Sequence, residues 1–186
     1  LLSQGTKGSN ITSGLDASSL LTGLVGTLAT NTSESSLVGT WVYKEPSIQF
    51  ESENFLAKAG GSVASTAIVQ KLEPYYKSVG ITPGKFQFVF NKDKSCSYTM
   101  SGKTFKGTYS FDKSKNMVTI TGTLITFPSF YVTVSGNSLA MTFDATKLLS
   151  LAQGLASNSQ NSTISGLSSL TSSFNGMKAG FLFQKK

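Results

Sequence analysis

Two short motifs in the chain match sequences that carry chemistry in enzymes. Gly102-Lys103-Thr104 matches the end of a phosphate-binding loop, and Ser110-Phe111-Asp112-Lys113 matches the Ser-x-x-Lys pattern of acyl-transfer enzymes. The phosphate loop needs a glycine where this chain has Ser97, and both patterns work at the start of a helix. Here both lie in or beside predicted hairpin turns. We therefore interpret both as parts of β-hairpins and expect catalysis from neither.

The residue composition removes the other common kinds of catalytic and metal site. The chain contains no His, so it lacks the usual general base near neutral pH and the commonest metal ligand. Cys96 is the only cysteine, and its spacing from Tyr98 and Met100 predicts a buried core thiol. The carboxylates are scattered and indicate neither a calcium loop nor a catalytic pair. We expect a protein that is not an enzyme and that uses no cofactor and no metal.

The chain has a positive net charge but few charged residues. All 16 basic residues are Lys, the net charge is +7, and charged residues make up 13% of the chain against a usual ~25%. Nucleic-acid binders depend on Arg for bidentate contacts, so we expect no nucleic-acid partner. Because extracytoplasmic proteins often carry so few charges, we expect the periplasm, the outer-membrane surface or secretion.

Two further features bear on location. No run of about 18 uncharged apolar residues occurs, so we expect no transmembrane span. The first residue is Leu rather than Met. We therefore expect a processed or trimmed form of the chain, in which any targeting peptide would no longer be seen.

Large apolar side chains supply the one candidate binding site. They share a single face of the predicted strands and would all point into a closed sheet, whose interior either is filled by side chains or holds one small ligand. Buried Tyr hydroxyls need partners and often orient a ligand. We predict that a small apolar or amphipathic ligand contacts Tyr43, Phe86, Phe88, Phe90, Tyr98, Met100, Tyr109 and Met141. The alternative is a filled core in a structural or protein-interaction module of the cell envelope.

The elements that would position these residues are strands. Apolar residues alternate with Ser, Thr and Lys from Phe86 to Phe143, which predicts a run of antiparallel hairpins with one buried face. A first strand is predicted over Leu37 to Glu45 and a last strand over Ala179 to Phe183. Pairing of the last strand with the first would close the sheet and remove both edges. The fold class is therefore mainly β, an antiparallel barrel of about eight strands.

Helices are predicted between and around the strands. Three- and four-residue spacing predicts a helix over 54–79, inserted after the first strand and kinked at Gly60-Gly61. Residues 1–36 are rich in Ser, Thr and Gly, with a short helix capped by Asp16, and residues 37–186 form the barrel domain. Further short helices are predicted after Asp144 and over 164–174. The helix after Asp16 places these residues on one face: Leu20, Leu21, Leu24, Val25 and Leu28.

Two motifs carry a resemblance to a known family. Leu37-Val38-Gly39-Thr40-Trp41 and Phe105-Lys106-Gly107-Thr108-Tyr109-Ser110-Phe111 resemble small bacterial lipocalin-like (calycin-type) domains, in which Gly-x-Trp opens the first strand. More narrowly, the chain is similar to secreted lipocalin-like proteins of gut anaerobes with a helix inserted after the first strand. The resemblance implies an eight-stranded antiparallel barrel and, at most, capture of an apolar small molecule.

The chain departs from the family pattern at the floor of the barrel. Lipocalins pack an Arg over the Trp, and the resemblance leaves Lys178, Lys185 or Lys186 to take that place. Trp41 is accordingly expected to be structural rather than a ligand contact. The helix at 54–79 also differs from the lipocalin helix, which comes late in the chain.

Overall fold

Eight antiparallel strands form a closed barrel. The computed structural model describes residues 24–25, 32–50, 62–123, 127–144, 147–148 and 177–186. In chain order the described elements are β1 (Leu24–Val25), α1 (Glu34–Leu37), β2 (Gly39–Phe50), α2 (Ser62–Ser78), β3 (Gln87–Phe90), β4 (Ser95–Met100), β5 (Lys103–Asp112), β6 (Met117–Thr121), β7 (Phe130–Ser135), β8 (Ser138–Asp144) and β9 (Met177–Lys185).

The barrel closes where β9 returns to β2. Each strand from β2 to β9 pairs with the next, and β9 also pairs with β2 from Trp41↔Lys185 to Phe50↔Met177. This closure removes the open edges that an unpaired sheet would present. The predicted fold class, mainly β with an antiparallel barrel of about eight strands, is confirmed, as is the pairing of the last strand with the first.

The tight turns explain both enzyme-like motifs. Ser101 and Gly102 have positive φ angles of 52° and 77° in the turn from β4 to β5, so Lys103 and Thr104 begin a strand. The Ser-x-x-Lys motif runs from the end of β5 into the next turn, where Ser114 N donates to Asp112 Oδ1 over 2.9 Å. The interpretation of both motifs as hairpin segments is confirmed.

The first barrel strand is longer than its sequence pattern predicted. It begins at Gly39, because Leu37 ends α1, and it continues through Pro46 to Phe50. Between Tyr43 and Glu45 the register shifts, so that β2 has one more residue there than its partner β9. Pro46 is tolerated because β2 pairs only with β9 at that point and needs no second ladder of donors.

Helix α2 packs against β2. Its described side chains Ile68, Leu72 and Tyr76 are buried and lie four residues apart, on one face. The predicted helix is therefore confirmed from Ser62 to Ser78, while its residues 54–61, with the kink at Gly60-Gly61, lie outside the described residues. Among the described helices, none combines the length and apolarity needed to cross a bilayer.

The predicted helix after Asp16 is wrong at two positions. Leu24 and Val25 form β1, which pairs in parallel with Gln49 and Phe50 of β2. Val is a poor helix former and Gly is poorer still, so a segment with Gly23 and Gly26 beside these residues gains more from a free strand edge than from a helix. The rest of that predicted helix lies outside the described residues.

The helices predicted near the end of the chain are described only in part. Lys147 and Leu148 are helical and Leu148 is buried, while the remainder of the helix after Asp144, and the helix over 164–174, lie outside the described residues. The final strand extends beyond the predicted range, Ala179 to Phe183, at both ends.

Strand β8 is buried on both faces. The outward side chains of Ala140 and Thr142 are as inaccessible to solvent as the side chains that face inward.

Candidate functional site

The barrel interior contains all eight residues predicted to contact a ligand. Each is buried, with at most 8% of its surface exposed, and all eight belong to one continuous hydrophobic core. Strand alternation explains this convergence, because every second residue of a closed sheet points inward. The structure thus brings together Tyr43, Phe86, Phe88, Phe90, Tyr98, Met100, Tyr109 and Met141. Their contact with a ligand stays a prediction.

The aromatic rings contact one another along the interior. Phe88 lies 5.8 Å from Phe90 and 5.7 Å from Phe183, and Phe90 lies 5.0 Å from Tyr109, all measured between ring centroids. Offset and edge-to-face contacts at these distances each add ~0.5–1.5 kcal/mol beyond area burial. This part of the interior is packed as a protein core.

One end of the barrel, here called the closed end, is covered by α1. Ser33 caps α1 and places Leu37, whose carbonyl oxygen accepts a 2.7 Å hydrogen bond from Trp41 Nε1. Lys185 Nζ lies 5.1 Å from the centroid of the Trp41 ring, a cation–π distance. Of the three lysines expected near this ring, Lys185 is thus the one with its Nζ at a cation–π distance from it. That Trp41 is structural rather than a ligand contact stays a prediction.

Tyr109 also lies at the closed end, and its hydroxyl is used there. Tyr109 Oη donates to the carbonyl oxygen of Asn91 over 2.9 Å, and Lys94 Nζ lies 5.8 Å from the ring centroid. Outside the barrel, the ring borders a surface hollow of about 260 Å³ together with Glu34, Ser35, Val38, Lys92 and Lys94. An ion pair between Lys94 and Glu34 spans this hollow.

The opposite end, here called the α2 end, holds a pair of tyrosines. Tyr43 points inward from β2 just before its register shift, and Tyr76 points inward from α2. Their ring centroids lie 6.5 Å apart in an edge-to-face arrangement. Phe181 of β9 contacts both rings, at 6.0 Å from Tyr43 and 4.9 Å from Tyr76. Phe86 also contacts Tyr43, at 6.0 Å. The pair therefore lies where the helix meets the barrel.

The hydroxyls of this pair lack partners. Tyr43 and Tyr76 are only 2% and 4% exposed, and among the described residues neither hydroxyl has a hydrogen-bond partner. A buried polar group left unpaired costs about 1–3 kcal/mol. Burial raises the pKa of both tyrosines, and the negative charges of Glu73 and Glu45 add to the shift for Tyr43. Both groups therefore stay neutral and able to donate at physiological pH.

Sequence reasoning named neither Tyr76 nor Phe127 as a site candidate. Tyr76 has the helical spacing that predicts a buried face, but only docking of α2 reveals that it meets Tyr43. Phe127 lies in the connection between β6 and β7, where no periodicity marks it. It is buried and lies 4.8 Å from Tyr98 and 5.7 Å from Phe88 between ring centroids. Phe127 thereby fills space beside two of the predicted ligand residues.

The described residues offer little reactive chemistry. Cys96 is buried, and burial raises the pKa of its thiol to about 11, so the thiol stays protonated. Within the described ranges, no three His, Cys, Asp or Glu side chains lie close enough together to hold a metal ion.

Comparisons with known proteins bear directly on the fold. The family model described as a lipocalin-like domain, DUF4923, matches residues 11–185. The chain is also similar to the crystal structure of a DUF4847 family protein from Bacteroides vulgatus, with 13% sequence identity, over 82% of this chain and 96% of that chain, at a TM-score of 0.38. No curated protein matches the chain. The family model covers nearly the whole length of the chain, and the chain forms a closed eight-stranded barrel. The chain therefore belongs to the lipocalin-like domain family DUF4923.

Proposed function

We propose that this protein binds a small amphipathic molecule at the α2 end of the barrel. In this proposal the hydroxyls of Tyr43 and Tyr76 hold the polar group of the ligand, and the neighbouring rings of Phe86 and Phe181 contact its apolar part. The protein acts outside the cytoplasm and is not an enzyme. The sparse charge and the lack of His support these last two points.

The observation that carries the proposal is that two buried hydroxyls have no hydrogen-bond partner in the part of the chain that the structure describes. Native structures pair the large majority of buried polar side-chain atoms, and each exception calls for an explanation. Phenylalanine at both positions would fill nearly the same space without this cost. A ligand oxygen between the two hydroxyls would remove the cost, which gives the tyrosines a reason to be there.

The proposal narrows the set of residues predicted to contact the ligand. Phe88, Phe90 and Tyr109 pack against one another or against the closed end, so we assign them to the core. Tyr43 and Phe86 stay in the site because they adjoin Tyr76 or Phe181. Met141 pairs with Phe181 across β8 and β9, which keeps it within reach of the same region.

Native mass spectrometry of the full chain, purified from the cells that produce it, tests the proposal. We expect a lipid-sized adduct on the wild-type protein and its loss from the Tyr43→Phe/Tyr76→Phe variant. Tyr75→Phe is the matched control, since Tyr75 neighbours Tyr76 on α2 but is only partly buried. A clean apo mass for the wild type under the gentlest ionisation would count against ligand binding.

A filled core without a ligand is the second candidate function. The continuous ring contacts from Phe88 to Tyr109 favour it, because they leave that part of the interior packed. The protein would then act as a structural or interaction module of the cell envelope. It predicts that no adduct is found and that the double Phe variant retains every property of the wild type except a higher stability.

The proposed location has its own test. We expect the protein in the extracytoplasmic fraction of the cells that produce it, separated from a cytoplasmic marker enzyme. Recovery with the cytoplasmic marker would contradict the location without bearing on ligand binding.

A further inference from the structure

We infer that the site between Tyr43 and Tyr76 selects a ligand with a neutral oxygen-containing head group, such as an alcohol, ester or ketone, over one with a carboxylate or phosphate. The inference rests on the proposed function and adds the chemical class of the ligand.

The two donors come from different elements that pack against each other. Tyr43 Oη belongs to β2 and Tyr76 Oη to α2, and the two rings meet edge to face. A phenol can donate one hydrogen bond and can also accept. Two such groups can both donate to one carbonyl oxygen, or one can donate to a ligand hydroxyl while the other accepts from it. A neutral oxygen therefore satisfies both hydroxyls.

Within the described part of the chain, no buried cation offers a counter-charge for an anion. The chain has no Arg, so the bidentate fork that usually holds a buried carboxylate is lacking throughout. Among the described residues no charged side chain is buried, and each described Lys is at least partly exposed. An anionic head group would lose its hydration without gaining a cation, which is strongly unfavourable in an interior lined by Phe rings.

Two carboxylates act on the Tyr43 side of the site. Glu73 and Glu45 both act electrostatically on Tyr43, so their potential reaches its hydroxyl. Lys77 offsets part of this effect, because its Nζ lies 2.9 Å from Glu73 Oε1, but this ion pair is solvent-exposed. Like charges disfavour the ionised form of a group, and the same repulsion acts on a ligand anion. Desolvation and repulsion thus act in the same direction.

Isothermal titration calorimetry of the full chain with two ligands of equal chain length tests the inference. The probes are decan-1-ol and decanoate, at about pH 8 where the acid is ionised. We expect the alcohol to bind at least about tenfold more tightly, since each 1.4 kcal/mol of differential binding is a factor of ten. Glu73→Gln should improve decanoate binding about twofold, because an exposed charge has a modest effect, and should leave decan-1-ol binding unchanged.

The variants separate failure of the inference from failure of the proposed function. In the Tyr43→Phe/Tyr76→Phe variant we expect decan-1-ol affinity to fall about tenfold, because two hydrogen bonds are lost, while Tyr75→Phe should bind like the wild type. Equal or tighter binding of decanoate by the wild type would overturn the inference and leave the proposed function standing. Binding of neither probe would overturn both.

Discussion

The two ends of this barrel handle buried polar groups in opposite ways. At the closed end, Trp41 Nε1 and Tyr109 Oη each donate to a backbone carbonyl oxygen within the protein. At the α2 end, the hydroxyls of Tyr43 and Tyr76 have no such partner among the described residues. The same kind of side chain is thus paired at one end and left unpaired at the other. The comparison suits a closed end that serves stability, whereas the unused hydrogen-bonding capacity of the α2 end is what the proposed ligand would occupy.

Removal of the closed-end indole is the most severe test of this comparison. We expect Trp41→Ala to lower the free energy of unfolding by about 3–5 kcal/mol, because a fully buried ring is replaced by a cavity. The Leu37 carbonyl oxygen also loses its donor. Urea denaturation followed by far-ultraviolet circular dichroism measures the change. A loss below about 1 kcal/mol would show that the closed end is not the stabilising region.

Removal of the unpaired hydroxyls should change the free energy of unfolding in the opposite direction. We expect Tyr43→Phe/Tyr76→Phe to raise the free energy of unfolding of the ligand-free protein by about 1–3 kcal/mol, since two buried groups no longer lack partners. Urea denaturation followed by the fluorescence of Trp41, the single Trp, measures it. A destabilised variant would mean that these hydroxyls already have partners within the protein.

The paired hydroxyl at the closed end provides the matched contrast. We expect Tyr109→Phe to lower the free energy of unfolding by about 0.5–1.5 kcal/mol, because the hydrogen bond from Tyr109 Oη to the Asn91 carbonyl oxygen is lost. The same urea experiment compares this variant with the α2-end double variant. If both changes shift stability in the same direction, the distinction between the two ends fails.

The smallest expected effect is a pH dependence at the closed end. Hydrogen bonds from Ser95 and Ser114 lower the pKa values of Asp93 and Asp112 in the two turns there. A carboxylate whose pKa is lower in the folded than in the unfolded protein stabilises the fold at pH values above its unfolded pKa of about 3.9. This stabilisation is lost as the pH falls through its folded-state pKa. At pH values below about 4 we expect the melting temperature of the wild type to decrease. The melting temperature of the Asp93→Asn/Asp112→Asn variant should decrease less. An equal fall in the variant would assign the acid sensitivity to other groups.

The barrel itself could be predicted because strand alternation and turn residues are local signals. The inward face of β4, with Cys96, Tyr98 and Met100, follows directly from period two. The family resemblance limited the cation over Trp41 to three lysines, and only the structure identifies it as Lys185. The inward faces of the strands depend on a single strand or on one pairing, so the sequence contains enough information to specify them.

The α2 end could be predicted only in part, because it depends on how separate elements dock. Helical spacing identifies Tyr76 as buried, but it does not reveal that its ring meets Tyr43 and Phe181. Phe127 has no periodic signal because it lies in a connection. The strand at Leu24–Val25 forms only against the edge of β2, a partner more than twenty residues later in the chain. Tertiary contacts decide these cases.

The seam between β2 and β9 has a consequence for how the chain folds. The residue pairs between these two strands are on the order of 130 positions apart in sequence. The conformational entropy of a very long loop must therefore be lost before any of these pairs forms. The hairpins from β3 to β8 can assemble early, and the cylinder then stays open along one side until β9 arrives. During that interval the edge of β2 is free to pair with another chain, so aggregation during refolding should depend on protein concentration.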